Sequence, residues 1–97
     1  MAEETHRVRQ VLGYNLMKWR RTRGLSMERL ANLAGLYRTG FSKIEKGQVS
    51  ATIDSLEKLS KALGIHVGEL LREPEGELKP GKHFELPRGR RKKGGRA

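Results

Sequence analysis

Four glycines divide residues 1–72 into five short segments in which apolar residues recur at helical spacing. They are Gly24, Gly35, Gly47 and Gly64. A glycine can adopt positive φ, and for that reason it is a common helix stop. No stretch alternates apolar and polar residues with period two for long enough to predict a strand. The pattern therefore predicts an all-α fold, a compact domain of five helices over residues 1–72.

Each predicted helix except the last ends at one of these glycines. Their bounds are 5–23, 26–35, 37–46, 52–64 and, as a last turn or two, 66–71. Ser26 and Thr52 are good N-caps because a hydroxyl oxygen accepts a hydrogen bond from a backbone N–H of the first turn. The spacing predicts these inward residues in the first two helices: Val8, Leu12, Leu16, Trp19, Leu30, Leu33 and Ala34. Phe41 and Ile44 should face inward from the third helix.

The composition changes after residue 72. Residues 73–97 contain three prolines, five glycines and three large apolar residues, and this is too little apolar surface to offset the entropy of folding. We expect this segment to be a flexible, disordered tail. From Arg88 onward the tail is basic, with six Lys or Arg and no acidic residue in 86–97. Two interpretations of the basic run stay open, a solubilising tail and a cationic arm that lies along phosphates.

The whole chain carries 21 Lys and Arg against 11 Asp and Glu, a formal net charge of +10. Such an excess favours a polyanionic partner, through long-range attraction and counterion release. Cysteine is absent and the three histidines are scattered, so no disulfide, metal site or cofactor is expected. No apolar run approaches the roughly 20 residues of a membrane span, and the expected location is the cytoplasm. An enzyme is not expected, because no catalytic constellation can be assembled from these residues.

The stretch 26–47 reads SMERLANLAGLYRTGFSKIEKG and fits two short helices that cross at a tight turn. Ala31 is small at the point where the third helix would press against the second. Gly35 stands where the turn needs positive φ, and Phe41 and Ile44 follow it six and nine residues later. This is the spacing of a helix-turn-helix, whose second helix normally occupies the major groove of DNA.

The sequence RRTRGLSMERLANLAGLYRTGFSKIEKG, with its continuation to GIHVGELL, closely resembles the phage repressor and Cro-like (XRE) family over residues 10–72. The resemblance implies a five-helix, lambda-repressor-like domain that is dimeric on DNA and controls transcription. It implies that the base edges are faced by Arg38, Thr39, Ser42 and Lys43. It places near the phosphates Met27, Tyr37, Lys46 and Gln48. It also implies an internal salt bridge between Arg20 and Glu45.

The residues themselves agree with the assignment of base readers. Positions 38, 39, 42 and 43 share one helical face, opposite Phe41 and Ile44. Arg38 and Lys43 can donate to guanine O6 and N7, a contact worth about 1–3 kcal/mol of discrimination, and Thr39 offers a methyl group as well as a hydroxyl. Arg38 is the first candidate. The competing interpretation is a polar face that is merely solvated.

Three residues depart from the family pattern. Met27 replaces a glutamine whose amide bonds a phosphate, and a thioether cannot make that bond. Gly40 lies inside the recognition helix, where glycine costs about 1 kcal/mol relative to alanine. Either DNA approaches closely there or the helix is looser than usual. Tyr37 replaces a small N-cap, so the third helix should be poorly capped by its own side chains.

The sequence predicts a transcriptional regulator, a repressor that binds double-stranded DNA as a homodimer on a palindrome. Candidates for the dimer surface are Ile65, Val67, Leu70 and Leu71, although these residues could instead close the core. The alternative function is a protein-interaction module with a protein partner and weak DNA binding, such as an antitoxin subunit or bridging factor. A third hypothesis is RNA binding through residues 86–97.

Overall fold

A computed structural model describes residues 6–75, and within that range the regular secondary structure is all helical, joined by turns. Its helices are α1 (Arg7–Thr22), α2 (Met27–Ala34), α3 (Arg38–Glu45) and α4 (Ile53–Leu63). A 3-10 helix, Val67–Leu71, follows and is here named the C-terminal turn. The all-α prediction is confirmed, with the last element tighter than an α-helix. The expectations of a flexible tail and a cationic arm concern residues that, from 76 onward, lie outside the described part of the chain.

The helix ends form for the reasons that the sequence indicates. Ser26 Oγ accepts the Arg29 N–H at 3.0 Å, and Thr52 Oγ1 accepts the Ser55 N–H at 3.0 Å. At the other end of α2, Gly35 has a φ of 73°, a conformation that side chains with a Cβ disfavour. Tyr37, by contrast, makes no side-chain cap hydrogen bond at the start of α3. The predicted contrast between well-capped α2 and α4 and poorly capped α3 is therefore confirmed.

The core lies between α1, α2, α3, α4 and the C-terminal turn. Its buried members are Leu12, Leu16, Leu30, Ala31, Ala34, Phe41, Ile44, Leu56, Leu59, Leu63 and Leu70. Trp19 packs against this cluster while partly buried, with the Arg23 guanidinium 5.0 Å from its ring centroid. Burial of aliphatic and aromatic side chains on this scale is the main favourable contribution to folding.

Two residues predicted to be inward are on the surface instead. Val8 is 62% exposed and Leu33 is 51% exposed. Val8 lies in the first turn of α1, ahead of Val11 and Leu12, where the burial of the helix begins. Leu33 lies on α2 about 100° away from Ala34, and it is Ala34, with Leu30 and Ala31, that the core covers. Both predictions were wrong because the spacing predicts which face of a helix points inward but not how much of that face the neighbouring helices cover.

The C-terminal turn is fixed to α1 by a buried asparagine. Asn15 Nδ2 donates to the carbonyl oxygens of Leu70 and Arg72, each at 2.9 Å. Leu70 is fully buried in the core, so its prediction as a dimer-surface residue is wrong. Ile65 is partly buried against the core, whereas Val67 and Leu71 are 37% and 44% exposed. The apolar run thus divides, with one side chain closing the core and its neighbours left on the surface.

An ion pair joins the start of α1 to the segment after the C-terminal turn. Arg7 Nη2 donates to Glu73 Oε1 at 2.7 Å. This hydrogen bond lowers the pKa of the Glu73 carboxyl and raises that of the Arg7 guanidinium. Glu73, which the composition assigned to the tail, therefore contacts the helical domain. No helix within residues 6–75 is long and apolar enough to cross a membrane.

Candidate nucleic-acid interface

The recognition helix predicted from sequence, α3, has one covered and one open side. Phe41 is fully buried and Ile44 is nearly so, and both belong to the core. Arg38, Thr39 and Lys43 are exposed. Because an α-helix turns about 100° per residue, these three share one side of the rod with position 42. The structure therefore brings the four predicted base readers together on a surface that α1, α2 and α4 leave uncovered.

The two cations of this face are chemically available. Within residues 6–75, the side chains of Arg38 and Lys43 make no hydrogen bond or ion pair. Guanidinium and ammonium groups carry donors but no acceptors, so both present donors outward. Ser42 is half-buried, which leaves its hydroxyl less accessible than that of Thr39. The arrangement can donate several hydrogen bonds to acceptors on one rigid surface.

The orientation of α3 depends on a buried ion pair with α1. Arg20 Nε lies 2.8 Å from Glu45 Oε2, and Arg20 Nη2 lies 3.2 Å from Glu45 Oε1. Arg20 Nη1 also donates to the Leu25 carbonyl at 3.0 Å. The two side chains are only 11% and 3% exposed. A buried, two-pronged contact of this kind permits few relative positions of the two helices, and it leaves little freedom for α3 to rotate.

The turn between α2 and α3 has the geometry that its spacing predicts. The Leu36 N–H donates to the Ala31 carbonyl at 2.8 Å, and the Gly35 N–H donates to the Asn32 carbonyl at 3.1 Å. These are the paired hydrogen bonds of a glycine helix stop. Ala31 is 1% exposed and belongs to the core, so its small side chain is covered at this crossing. The short helices and the tight turn together position α3 at the surface of the domain.

The predicted phosphate contacts fall into two groups. Tyr37, Lys46 and Gln48 are exposed, with Tyr37 at 88%. The side chain of Met27 is half-buried and packs against the core. Met27 can therefore contact a phosphate only through its backbone N–H, which lies in the first turn of α2 and has no intrahelical partner.

Asn15 positions the C-terminal turn, a role that was not predicted from the sequence. The signal was present, since Asn15 falls three residues after Leu12 and immediately before Leu16, on the apolar face of α1. A polar side chain in such a phase must find hydrogen-bond partners when it is buried. Among residues 6–75 no group of three or more His, Cys, Asp or Glu is placed to hold a metal ion.

Comparison with known proteins agrees with this geometry. Residues 16–70 match the helix-turn-helix family. A hypothetical transcription factor of Neisseria meningitidis serogroup B is 38% identical over 72 residues, which are 74% of this chain and 68% of that protein. The crystal structure of such a factor from Neisseria superposes with a TM-score of 0.67 at 37% identity, covering 69% of this chain and 77% of the other.

Two further relatives differ in length. The HTH-type transcriptional regulator PuuR of Escherichia coli K12 is 40% identical over 68 residues, which are 70% of this chain but only 37% of PuuR. The restriction-modification controller protein C.AhdI of Aeromonas hydrophila superposes with a TM-score of 0.63 at 37% identity, over 64% of this chain and 94% of C.AhdI. The family match thus runs from within α1 to the C-terminal turn and includes α3.

Proposed function

The chain belongs to the helix-turn-helix family of DNA-binding transcriptional regulators, and we propose that it acts as a repressor whose α3 reads the major groove. The carrying observation is the division of α3 into a covered side, with Phe41 and Ile44, and an open polar side. An α-helix fits a major groove about 12 Å wide, where each base pair presents a distinct set of donors and acceptors.

The proposed base readers are Arg38, Thr39, Ser42 and Lys43. Arg38 leads the set because it is exposed, unpaired within the described chain and held on the first turn of α3. The N-terminal residues of a recognition helix are the ones that reach base edges. A bidentate contact to guanine O6 and N7 is worth about 1–3 kcal/mol of discrimination. Thr39 adds a methyl group that can contact thymine.

We assign Tyr37, Lys46 and Gln48 to the DNA backbone, because they are exposed at the two ends of α3. Contacts to phosphate set register and orientation but carry no sequence information. The formal net charge of +10 supports strong general attraction to DNA. Affinity should therefore fall steeply with salt, since each neutralised phosphate releases counterions.

We propose a homodimer on DNA, with half-sites about one helical turn apart. Val67 and Leu71 support it, because both are apolar, exposed and on the same short element. Leu70 is not part of this surface. Repression then needs no more than occupancy, since a dimer bound across a promoter excludes polymerase from the same stretch of DNA.

Selection of bound duplexes from random DNA tests the base-reading assignment. The wild type should enrich one palindromic sequence, and Arg38→Ala should lose preference at one position of each half-site. Arg21→Ala is the matched control, because Arg21 is also an exposed arginine but lies on α1. This variant should enrich the wild-type sequence. An unchanged sequence from Arg38→Ala would contradict the assignment, and no enrichment by the wild type would favour the protein-interaction alternative.

A reporter gene tests repression separately. With the selected sequence placed across its promoter, expression should fall when the protein is supplied and should recover with Arg38→Ala. A rise in expression with the wild type would instead identify an activator.

A further inference from the structure

Gly40 is a helix-interior glycine that the fold of the described chain does not require. It is the third residue of α3, and glycine is less favourable than alanine inside a helix. Its φ is not among the positive values found at the helix stops, so alanine could adopt the same backbone. An ideal Cβ built on Gly40 has nothing within 4 Å. Neither backbone conformation nor packing within the protein therefore explains the residue.

The surroundings of Gly40 indicate what does explain it. Gly40 is exposed and lies between Tyr37, about one turn before it, and Lys43, about one turn after it. Both neighbours are exposed and carry long polar side chains. Helical geometry puts Gly40 about 60° beyond Lys43, on the flank of the base-reading face, away from Arg38. The result is a patch of bare backbone bordered by an aromatic ring and a cation.

We infer that Gly40 is the point at which the sugar–phosphate wall of the major groove comes closest to the α3 backbone. This inference rests on the proposed function and adds a positioning residue to it. The flank of a helix lying in a groove faces the groove wall rather than the base edges. A Cβ there would push the helix away from the wall and lengthen the contacts of Arg38 and Lys43 together. Glycine is used because it alone lets the backbone approach so closely.

The test is a series of side-chain sizes at this position. Gly40→Ala and Gly40→Leu should both raise the Tm of the free protein, because both residues favour helix and the site is open. The same variants should weaken binding to the selected duplex by about tenfold or more, as expected for a lost site contact, with Leu worse than Ala. Thr22→Ala is the matched control. It removes a β-branched residue from the exposed surface of α1, so it should raise the Tm and leave DNA affinity unchanged.

Sequence selection distinguishes the groove wall from the base edges. Because the wall carries no base identity, Gly40→Ala should enrich the same sequence as the wild type, only more weakly. A changed base at one position would overturn the assignment to the wall, and affinity retained by Gly40→Ala and Gly40→Leu would overturn the close approach itself. In either case the proposed function survives if Arg38→Ala still alters the preference. If the wild type enriches no sequence, the proposed function and this inference fail together.

Discussion

The recognition helix α3 and the C-terminal turn are both short elements, yet their orientations have different origins. On α3 the inward residues Phe41 and Ile44 lie opposite the polar residues, and an ion pair from Glu45 to α1 reinforces the arrangement. In the C-terminal turn Val67, Leu70 and Leu71 are all apolar, and a single asparagine on α1 holds the backbone. The residues of α3 already predict which of its sides faces the core, and its ion-pair partner Arg20 lies 25 positions away, whereas the C-terminal turn depends on a residue more than 50 positions away.

This contrast shows when the apolar residues of a short helix predict which side chains are buried. Where polar and apolar residues oppose each other on one helix, the sequence orients the helix. Where Val67, Leu70 and Leu71 are all apolar, hydrophobicity ranks none of them ahead of the others. The tertiary partner then decides, and here it places Leu70 alone in full burial.

The largest expected effect comes from breaking the ion pair that orients α3. Glu45→Ala should lower the free energy of unfolding by about 3–5 kcal/mol, because it leaves the Arg20 guanidinium buried without its partner. Urea denaturation measures the loss. Arg20→Met combined with Glu45→Leu is the control, since replacing both charges with apolar groups removes the unpaired charge. If Glu45→Ala unfolds like the wild type, the ion pair does not constrain the helix.

The next effect separates two adjacent leucines in the C-terminal turn. Leu70→Ala should cost about 2–5 kcal/mol of stability, because it opens a cavity in the core. Leu71→Ala should cost well under about 1 kcal/mol in the monomer, as expected for a surface substitution. Thermal unfolding at low protein concentration provides both values. Equal losses of stability would mean that Leu70 and Leu71 do not differ in burial.

Removal of the asparagine that holds the turn should have an intermediate effect. Asn15→Ala leaves the carbonyls of Leu70 and Arg72 without their donor, at a cost of about 1–3 kcal/mol. Hydrogen exchange adds a local measurement. Relative to the wild type, exchange in this variant should accelerate more at the amides of residues 67–71 than at those of α3. Uniformly faster exchange throughout the domain would show that Asn15 has no special relation to the turn.

The smallest effect concerns the exposed pair of Arg7 and Glu73. Because the hydrogen bond lowers the pKa of Glu73 in the folded protein, its stabilisation is present above the unfolded pKa of about 4.3 and is lost as the pH falls through the folded value. The wild type should therefore exceed Glu73→Gln slightly in Tm at pH 7, and the difference should vanish in acid. A difference that persists at low pH would have another cause.

Much of the fold could be predicted from the sequence because local rules govern it. The glycine stops, the caps at Ser26 and Thr52 and the phase of α3 all depend on residues within one or two turns of each other. The exposure of Val8 and Leu33 could not be predicted, since it depends on where the cover of neighbouring helices ends. For the candidate site, the sequence named the polar face of α3, whereas the open space around Gly40 required coordinates.

Methylation interference on the selected duplex tests whether α3 lies in the major groove. Methylation of guanine N7 modifies the major groove and removes an acceptor that Arg38 would use. N7 methylation of one guanine in each half-site should block binding by the wild type, and Arg38→Ala should no longer distinguish the methylated from the unmethylated duplex. Wild-type binding that is indifferent to N7 methylation throughout the site would contradict the placement of α3 in the major groove.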